Sequence, residues 1–184
     1  MPEDELTIKR AQQGDRKALE ELIMRCEKRV YNTAFRFMGN EADASDMAQE
    51  ALIKLYRNIS SFKFKSTLSS WVYRITVNVC MDGLRKKKRA PLSLEYSLEN
   101  GVSLEDCADG PEENALSAET KEDIQKALNL LSDSYKSVVI MRDIDGLSYE
   151  EIAELLDISI GTVKSRINRG RRQLKKLLFR DNEC

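Results

Sequence analysis

Leu147-Ser-Tyr-Glu-Glu-Ile-Ala-Glu-Leu-Leu-Asp-Ile-Ser-Ile-Gly-Thr-Val-Lys-Ser-Arg-Ile-Asn-Arg-Gly-Arg-Arg172 is the stretch that decides the fold. Ser148 followed three positions later by Glu151 makes a capping box, which predicts a short helix over Tyr149–Leu156. Asp157-Ile158-Ser159 then forms a three-residue turn, and a final helix starts at Ile160 with Ile160, Val163, Ile167, Leu174 and Leu177 facing inward. Ala153 is small where the two helices must cross closely, and Ile152 and Val163 supply their shared core. This is a helix-turn-helix, whose second helix is shaped to enter a major groove. At about 100° per residue, Thr162, Ser165, Arg169, Arg172 and Lys176 fall opposite the apolar stripe, with Lys164 and Arg166 on its flanks. Eight basic residues lie in this helix with no acid before Asp181. They suit phosphate binding, and Ser165 and the arginines of the N-terminal half can reach base edges.

Upstream of this motif the same helical period recurs, and no alternating run long enough for a sheet appears, so the chain is predicted all-α. A short helix over 3–13 stops at Gly14, and Asp15 is positioned to cap a long second helix carrying Leu19, Leu22, Ile23, Cys26, Val30 and Ala34. Gly39-Asn40 separates it from a third helix over 41–59, and a fourth covers 66–89 with Leu68, Val72, Ile75 and Val79 as its buried stripe. Pro91, Gly101, Gly110, Pro111 and many acids then break the pattern, which predicts a flexible acidic linker over 91–118. Helices over 119–131 and 133–144 lead back to the helix-turn-helix. The predicted organisation is two small helical domains, 1–90 and 119–184, on one acidic tether.

The 184 residues carry 30 Lys and Arg against 31 Asp and Glu, and this near-neutral total hides a segregation. Residues 1–90 have a balance of +6, 91–134 of −9, 135–158 of −4 and 159–184 of +6. Two basic surfaces separated by an acidic segment fit a protein that touches a polyanion at two places. The chain has no histidine, which excludes serine-type triads, HExxH zinc sites and histidine phosphorelays. Cys26, Cys80, Cys107 and Cys184 are too scattered for a CxxC site and fit idle thiols in a reducing cytoplasm. No apolar run approaches the length of a membrane span, and no signal peptide opens the chain, so neither membrane insertion nor secretion is expected. No metal or cofactor is expected either.

The other basic surface ends the fourth helix at Leu84-Arg-Lys-Lys-Lys-Arg89. Ahead of it Phe62, Phe64 and Trp71 interleave with Lys63 and Lys65, a combination that can stack or pocket an unpaired base while holding the backbone. Trp71 and one phenylalanine equally fit a core role in a small helical domain. Arg74, Asn78, Met81 and Arg85 continue at three-to-four spacing as a polar stripe, and asparagine suits an adenine edge. On the third helix Asp43, Asp46, Glu50 and Arg57 share an outer face with Ile53 among them and Gln49 at its edge. Such carboxylates can hold Mg²⁺ in principle, but an exposed isoleucine inside a charged face fits a protein contact with an electrostatic rim.

Taken together, Asp43-Ala-Ser-Asp-Met-Ala-Gln-Glu-Ala-Leu-Ile-Lys-Leu-Tyr56, Trp71-Val-Tyr-Arg-Ile-Thr-Val-Asn78 with Asp82-Gly-Leu-Arg85, and the helix-turn-helix with Gly161-Thr-Val-Lys-Ser-Arg166 resemble the extracytoplasmic-function (group four) sigma factors of bacterial RNA polymerase. The resemblance covers nearly the whole chain and only the family's regions two and four. It implies a non-enzymatic initiation factor that binds core RNA polymerase and directs promoter recognition and strand opening for a stress or envelope regulon. Asp43, Asp46, Gln49, Glu50 and Ile53 match the part that docks on the β′ clamp helices, and the β flap is a further implied contact. Phe62, Lys63, Phe64, Lys65, Trp71, Arg74, Asn78 and Arg85 match the part that captures a flipped base of the minus-ten element. Thr162, Lys164, Ser165, Arg166, Arg169, Arg172 and Lys176 match the reader of the minus-thirty-five element. An anti-sigma factor is the implied regulator. Leu68-Ser69-Ser70 departs from the family's aromatic, basic residue and threonine before the tryptophan, which leaves the captured base open. Two other classes remain beside this one: a stand-alone helix-turn-helix regulator and a Mg²⁺-dependent nucleic-acid enzyme.

Overall fold

Asp15 starts the long helix of the N-terminal half: in an extended conformation, its Oδ1 accepts hydrogen bonds from the Lys17 and Ala18 N–H groups at 3.0 and 3.2 Å. The Arg10 guanidinium donates to its other carboxylate oxygen at 2.9 and 2.6 Å. The backbone bond from Ala18 and the Arg10 contact hold the Asp15 carboxyl below its ordinary pKa, so the cap stays charged. In a computed structural model that describes residues 2–89 and 118–180, this junction joins α1 (Pro2–Gln12) to α2 (Arg16–Met38). Gly39, at φ +77, ends α2 by returning its N–H to the Phe35 carbonyl at 2.8 Å, and Asn40 caps α3 (Glu41–Asn58) through the Asp43 N–H.

A 3-10 turn (Ile59–Ser61) and a loop lead to α4 (Leu68–Arg89). The helix begins later than position 66 because the Thr67 hydroxyl accepts the Ser70 N–H at 3.1 Å and acts as its cap. Two compact units result, Met1–Lys86 and Lys87–Cys184. In the first, Leu22, Val30, Ala34 and Phe37 of α2 are buried along with Ala44, Ala48, Ala51 and Leu55 of α3. The alanines of α3 let the two helices pack closely. α4 adds Val72, Val77, Val79 and Cys80, while Leu68 and Ile75 of the expected stripe are only half-buried. Gly83 lies so near α3 that a methyl group there would meet the Met47 sulfur at 2.6 Å.

The second unit contains α5 (Ala118–Asn129), α6 (Asp133–Val139), a π-helical turn (Ile140–Ile144), α7 (Tyr149–Leu156) and α8 (Ile160–Arg180). The single helix expected over 133–144 is thus an α-helix that widens into a π turn. Leu128, Leu131, Val138, Ile140, Met141, Ile152, Val163 and Ile167 form its core. Ile160, expected inward, is 40% exposed, since it opens α8 a turn before the packed Val163 and Ile167. Leu174 and Leu177 are half-buried. Residues 91–117 of the expected acidic linker lie outside the described residues, as do Cys107 and Cys184, and Ala118 already opens α5. Cys26 and Cys80 are free thiols, and burial pushes the Cys26 thiol above its ordinary pKa, away from the reactive thiolate.

Gly170 fixes how closely α8 approaches α6. A Cβ there would fall 2.7 Å from Val139 Cγ2 and 3.4 Å from the Tyr135 carbonyl oxygen, and a β-branched side chain backed by helix cannot swing away. Gly170→Ala is expected to destabilise the second unit by about 1–2 kcal/mol, overpacking outweighing the gain in helix propensity. Gly83→Ala, which meets only the flexible Met47 side chain, should stay within about 0.5 kcal/mol of the parent. Hydrogen exchange of α8 and α4 peptides measures both.

Candidate nucleic-acid interface

The helix-turn-helix is held by its predicted devices. Ser148 Oγ accepts the Glu151 N–H at 3.1 Å, and the Glu151 carboxylate accepts the Ser148 N–H at 2.7 Å. Asp157 ends α7 at φ +53, a left-handed position that aspartate tolerates better than most side chains. Ser159 caps α8, its Oγ accepting the Thr162 N–H at 3.1 Å. Val163, Ile167 and Gly170 are buried, and Lys164, Ser165, Arg169, Arg172 and Lys176 are exposed. Thr162 and Arg166 are half-buried at the edges of that face. The Ser165 hydroxyl donates to the Thr162 carbonyl at 2.9 Å, which leaves its oxygen free to accept from a base or sugar.

Arg142, Asp143 and Tyr149 make contacts around α8 that spacing does not foretell. The π turn displaces Arg142 so that it donates to the Leu147 carbonyl at 2.7 Å and lies 4.6 Å from the Tyr149 ring centre. The Lys164 ammonium lies 5.6 Å from the same ring centre. Asp143 of the same turn accepts two hydrogen bonds from Arg171, one of 2.9 Å, and this contact raises the Arg171 pKa further. Among the described residues, Arg171 is therefore an α8 cation committed to the fold by a charge pair. Sequence spacing does not single out Arg142, Asp143 or Tyr149, because their contacts depend on the π turn.

In the first unit Phe62, Phe64 and Trp71 form a cluster of tilted rings, 53° and 59° between neighbouring planes, with graded exposure. Phe62 is only 5% exposed, Trp71 is half-buried and Phe64 is 40% exposed. The Phe62 ring centre lies 5.3 Å from Trp71 and 4.9 Å from Phe64. Phe62, expected at the nucleic acid, thus packs between the other two rings and cannot offer a stacking face, which leaves Phe64 as the open end. Lys63, Lys65, Arg74, Asn78 and Arg85 are all exposed, and Arg85 has Asp82 at 3.4 Å. The α4 stripe of Arg74, Asn78 and Arg85 follows helical spacing on the side away from Val72 and Val79. In the basic run, Arg85, Lys86 and Lys87 are exposed, and the side chains of Lys88 and Arg89 lie outside the described residues.

On α3, Asp46, Gln49 and Ile53 are exposed, the last at 44%. Glu50 is half-exposed and pairs with Lys54 at 3.1 Å. Asp43 sits in the first turn, where its carboxylate takes the Asn40 side-chain amide, so it belongs to the helix cap before it belongs to any outer face. Tyr56, 53% exposed and one turn beyond Ile53, extends the apolar strip. Among the described residues no group of histidine, cysteine or carboxylate side chains could hold a metal ion. Among the same residues no helix is long and apolar enough to cross a membrane.

Comparison with known proteins matches Sigma-70 region 2 to residues 22–90 and Sigma-70, region 4 to residues 121–174. The chain is 39% identical over 176 residues to the ECF RNA polymerase sigma factor SigW of Bacillus subtilis (strain 168), covering 93% of this chain and 94% of that protein. It is 35% identical over 178 residues to the ECF RNA polymerase sigma-E factor of Haemophilus influenzae, covering 94% and 93% of the two chains. Among solved structures, it is similar to the sigma factor RpoE of Bartonella quintana, crystallised with the anti-sigma factor NepR. That similarity has a TM-score of 0.65 at 26% identity over 88% of this chain and 97% of the other.

Proposed function

This chain belongs to the ECF RNA polymerase sigma factors, and from that premise we propose how its surfaces divide the work of initiation. The protein binds core RNA polymerase and directs promoter-specific transcription initiation. The observation that carries the assignment is the match of regions 2 and 4, in order, to the two helical units. In our reading Asp46, Gln49, Glu50, Ile53 and Tyr56 on α3 dock on the β′ clamp helices, and the β flap is a further contact. Asp43 contributes by shaping the start of α3.

Phe64, with Lys63, Lys65, Arg74, Asn78 and Arg85, acts on the minus-ten element, Phe62 and Trp71 supporting Phe64 from behind. Capture of an unpaired base offsets part of the unstacking cost, about a few kcal/mol, so binding energy drives strand opening without a catalytic group. Thr162, Lys164, Ser165, Arg166, Arg169, Arg172 and Lys176 read or hold the minus-thirty-five element. The domains act as 1–90 for polymerase and the minus-ten element and 119–184 for the minus-thirty-five element, with 91–118 between them. We place the protein in the cytoplasm and give it an anti-sigma factor as regulator, on the analogy of the Bartonella quintana RpoE complex. Its genes are expected to be those of a stress or envelope regulon.

Co-purification tests the assignment. Tagged full-length protein should retain core RNA polymerase through gel filtration at physiological salt. Elution of the protein alone from an equimolar mixture at micromolar concentration would contradict it.

A further inference from the structure

α1 precedes the region 2 match, which begins at residue 22, yet it reaches the loop assigned to strand opening. Gln12, the last residue of α1, donates from Nε2 to two backbone carbonyls, those of Ile59 at 3.0 Å and Phe62 at 2.8 Å. A carboxamide nitrogen carries two N–H groups, so both bonds form together. The Ile59 carbonyl also accepts the Phe62 N–H at 3.1 Å, so the 3-10 turn at the base of the loop is tied at both ends.

Two residues beyond the second tie, Phe64 has φ +54. A bulky non-glycine side chain occupies that left-handed region only where its surroundings hold it there. Those surroundings are the Phe62 ring beneath Phe64 and the Lys9 ammonium of α1, 5.8 Å from the Phe64 ring centre. α1 thus fixes the backbone that carries the cluster and flanks its open end.

We propose that Gln12 is a positioning residue for strand opening: by bridging the Ile59 and Phe62 carbonyls it presets the loop so that Phe64 meets an unpaired base already oriented. This rests on the assignment of the loop to the melted strand. The energetic logic is preorganisation, since a loop ordered before capture does not lose its conformational freedom at the moment of capture. Without Gln12 the two carbonyls turn to water, Phe64 relaxes from its left-handed conformation, and the cluster opens toward solvent.

Trp71 is the only tryptophan in the chain and touches Phe62, so its fluorescence reports the cluster directly. Gln12→Ala, and Gln12→Glu, which keeps the size but removes both donors, are compared with Phe64→Ala in the full-length protein and in holoenzyme. The template is a promoter selected from random duplex DNA by the parent holoenzyme. Both Gln12 variants should make Trp71 more accessible to acrylamide while assembling with core polymerase normally. On duplex they should lower permanganate reactivity of unpaired thymines about fivefold or more, as Phe64→Ala does, with most of the loss recovered on a pre-melted bubble. Parent-level opening by the Gln12 variants, beside poor opening by Phe64→Ala, overturns the positioning role and leaves the loop assignment standing. Parent-level opening by Phe64→Ala overturns the loop assignment and the proposal with it. Equal losses on duplex and bubble, together with failed assembly, would make Gln12 a folding residue only and overturn the proposal.

Discussion

Full-length protein carrying Asp46→Lys and Glu50→Lys together is expected to lose core polymerase binding by on the order of 100-fold or more, because reversed charges on a docking rim replace attraction with repulsion. Asp46 is exposed and Glu50 half-exposed, and both flank the apolar strip of Ile53 and Tyr56. The local cost to α3 is small by comparison. Glu50 would lose its pairing with Lys54 and gain a like charge one turn away, worth about 0.2–0.5 kcal/mol for a helical pair. Helicity and thermal midpoint should therefore stay near the parent's while the polymerase complex disappears from gel filtration. If both carboxylates can be reversed with assembly intact, the docking surface lies elsewhere.

Arg169→Ala is expected to cost about 1–3 kcal/mol on the cognate upstream element and to flatten the penalty for base changes within it. Arg169 is exposed on the first half of α8, four residues beyond Ser165, where the N-terminal part of the second helix faces base edges. Lys176 lies two turns further along, is exposed, and suits a phosphate. Its replacement by alanine should weaken binding to every sequence alike and lower the salt slope by about one. Fluorescence anisotropy with holoenzyme and a panel of single-base variants, at three salt concentrations, separates the two effects. A uniform loss for both substitutions would contradict the division between base and phosphate contacts.

The sequence and structure agree most closely where local signals and packing coincide. The Ser148 and Glu151 capping box, the turn at Asp157 and the spacing of Val163 and Ile167 each constrain the same few residues, so α7 and α8 are legible from the sequence alone. Periodicity failed where a change of helix type leaves the apolar pattern intact. Nothing in Ile140-Met-Arg-Asp-Ile144 distinguishes a π turn from another turn of α-helix, yet that turn sends Arg142 to Tyr149 and Asp143 to Arg171. The roles of Phe62 and Phe64 were equally hidden. Two phenylalanines two positions apart carry the same local signal, and what separates them is Gln12, 50 residues before Phe62, whose carbonyl it holds, together with the positive φ of Phe64.

Ile160 shows the converse error. Its spacing from Val163 is that of a core residue, but the first residue of a helix has no preceding turn to carry it into the core, and it remains exposed. On α3 the apolar periodicity gives Ala48, Leu52, Leu55 and Ile59 as the inner face; Ala48, Leu55 and Ile59 are buried, Leu52 is only half-buried, and Ala44 and Ala51 are buried in addition. The outer apolar strip reaches further than the sequence shows, because tyrosine is as common at the surface as inside and the exposure of Tyr56 is set by the packing of α3.

Run-off transcription tests the central claim most directly. Core RNA polymerase, this protein and a template selected from random duplex DNA by the combined complex are mixed at physiological salt, with omission of each protein as control. A discrete transcript that requires both core polymerase and this protein is the predicted result. Sequence-specific duplex binding by the protein alone, with no transcript from the complete mixture, would contradict it and identify a stand-alone DNA-binding regulator instead.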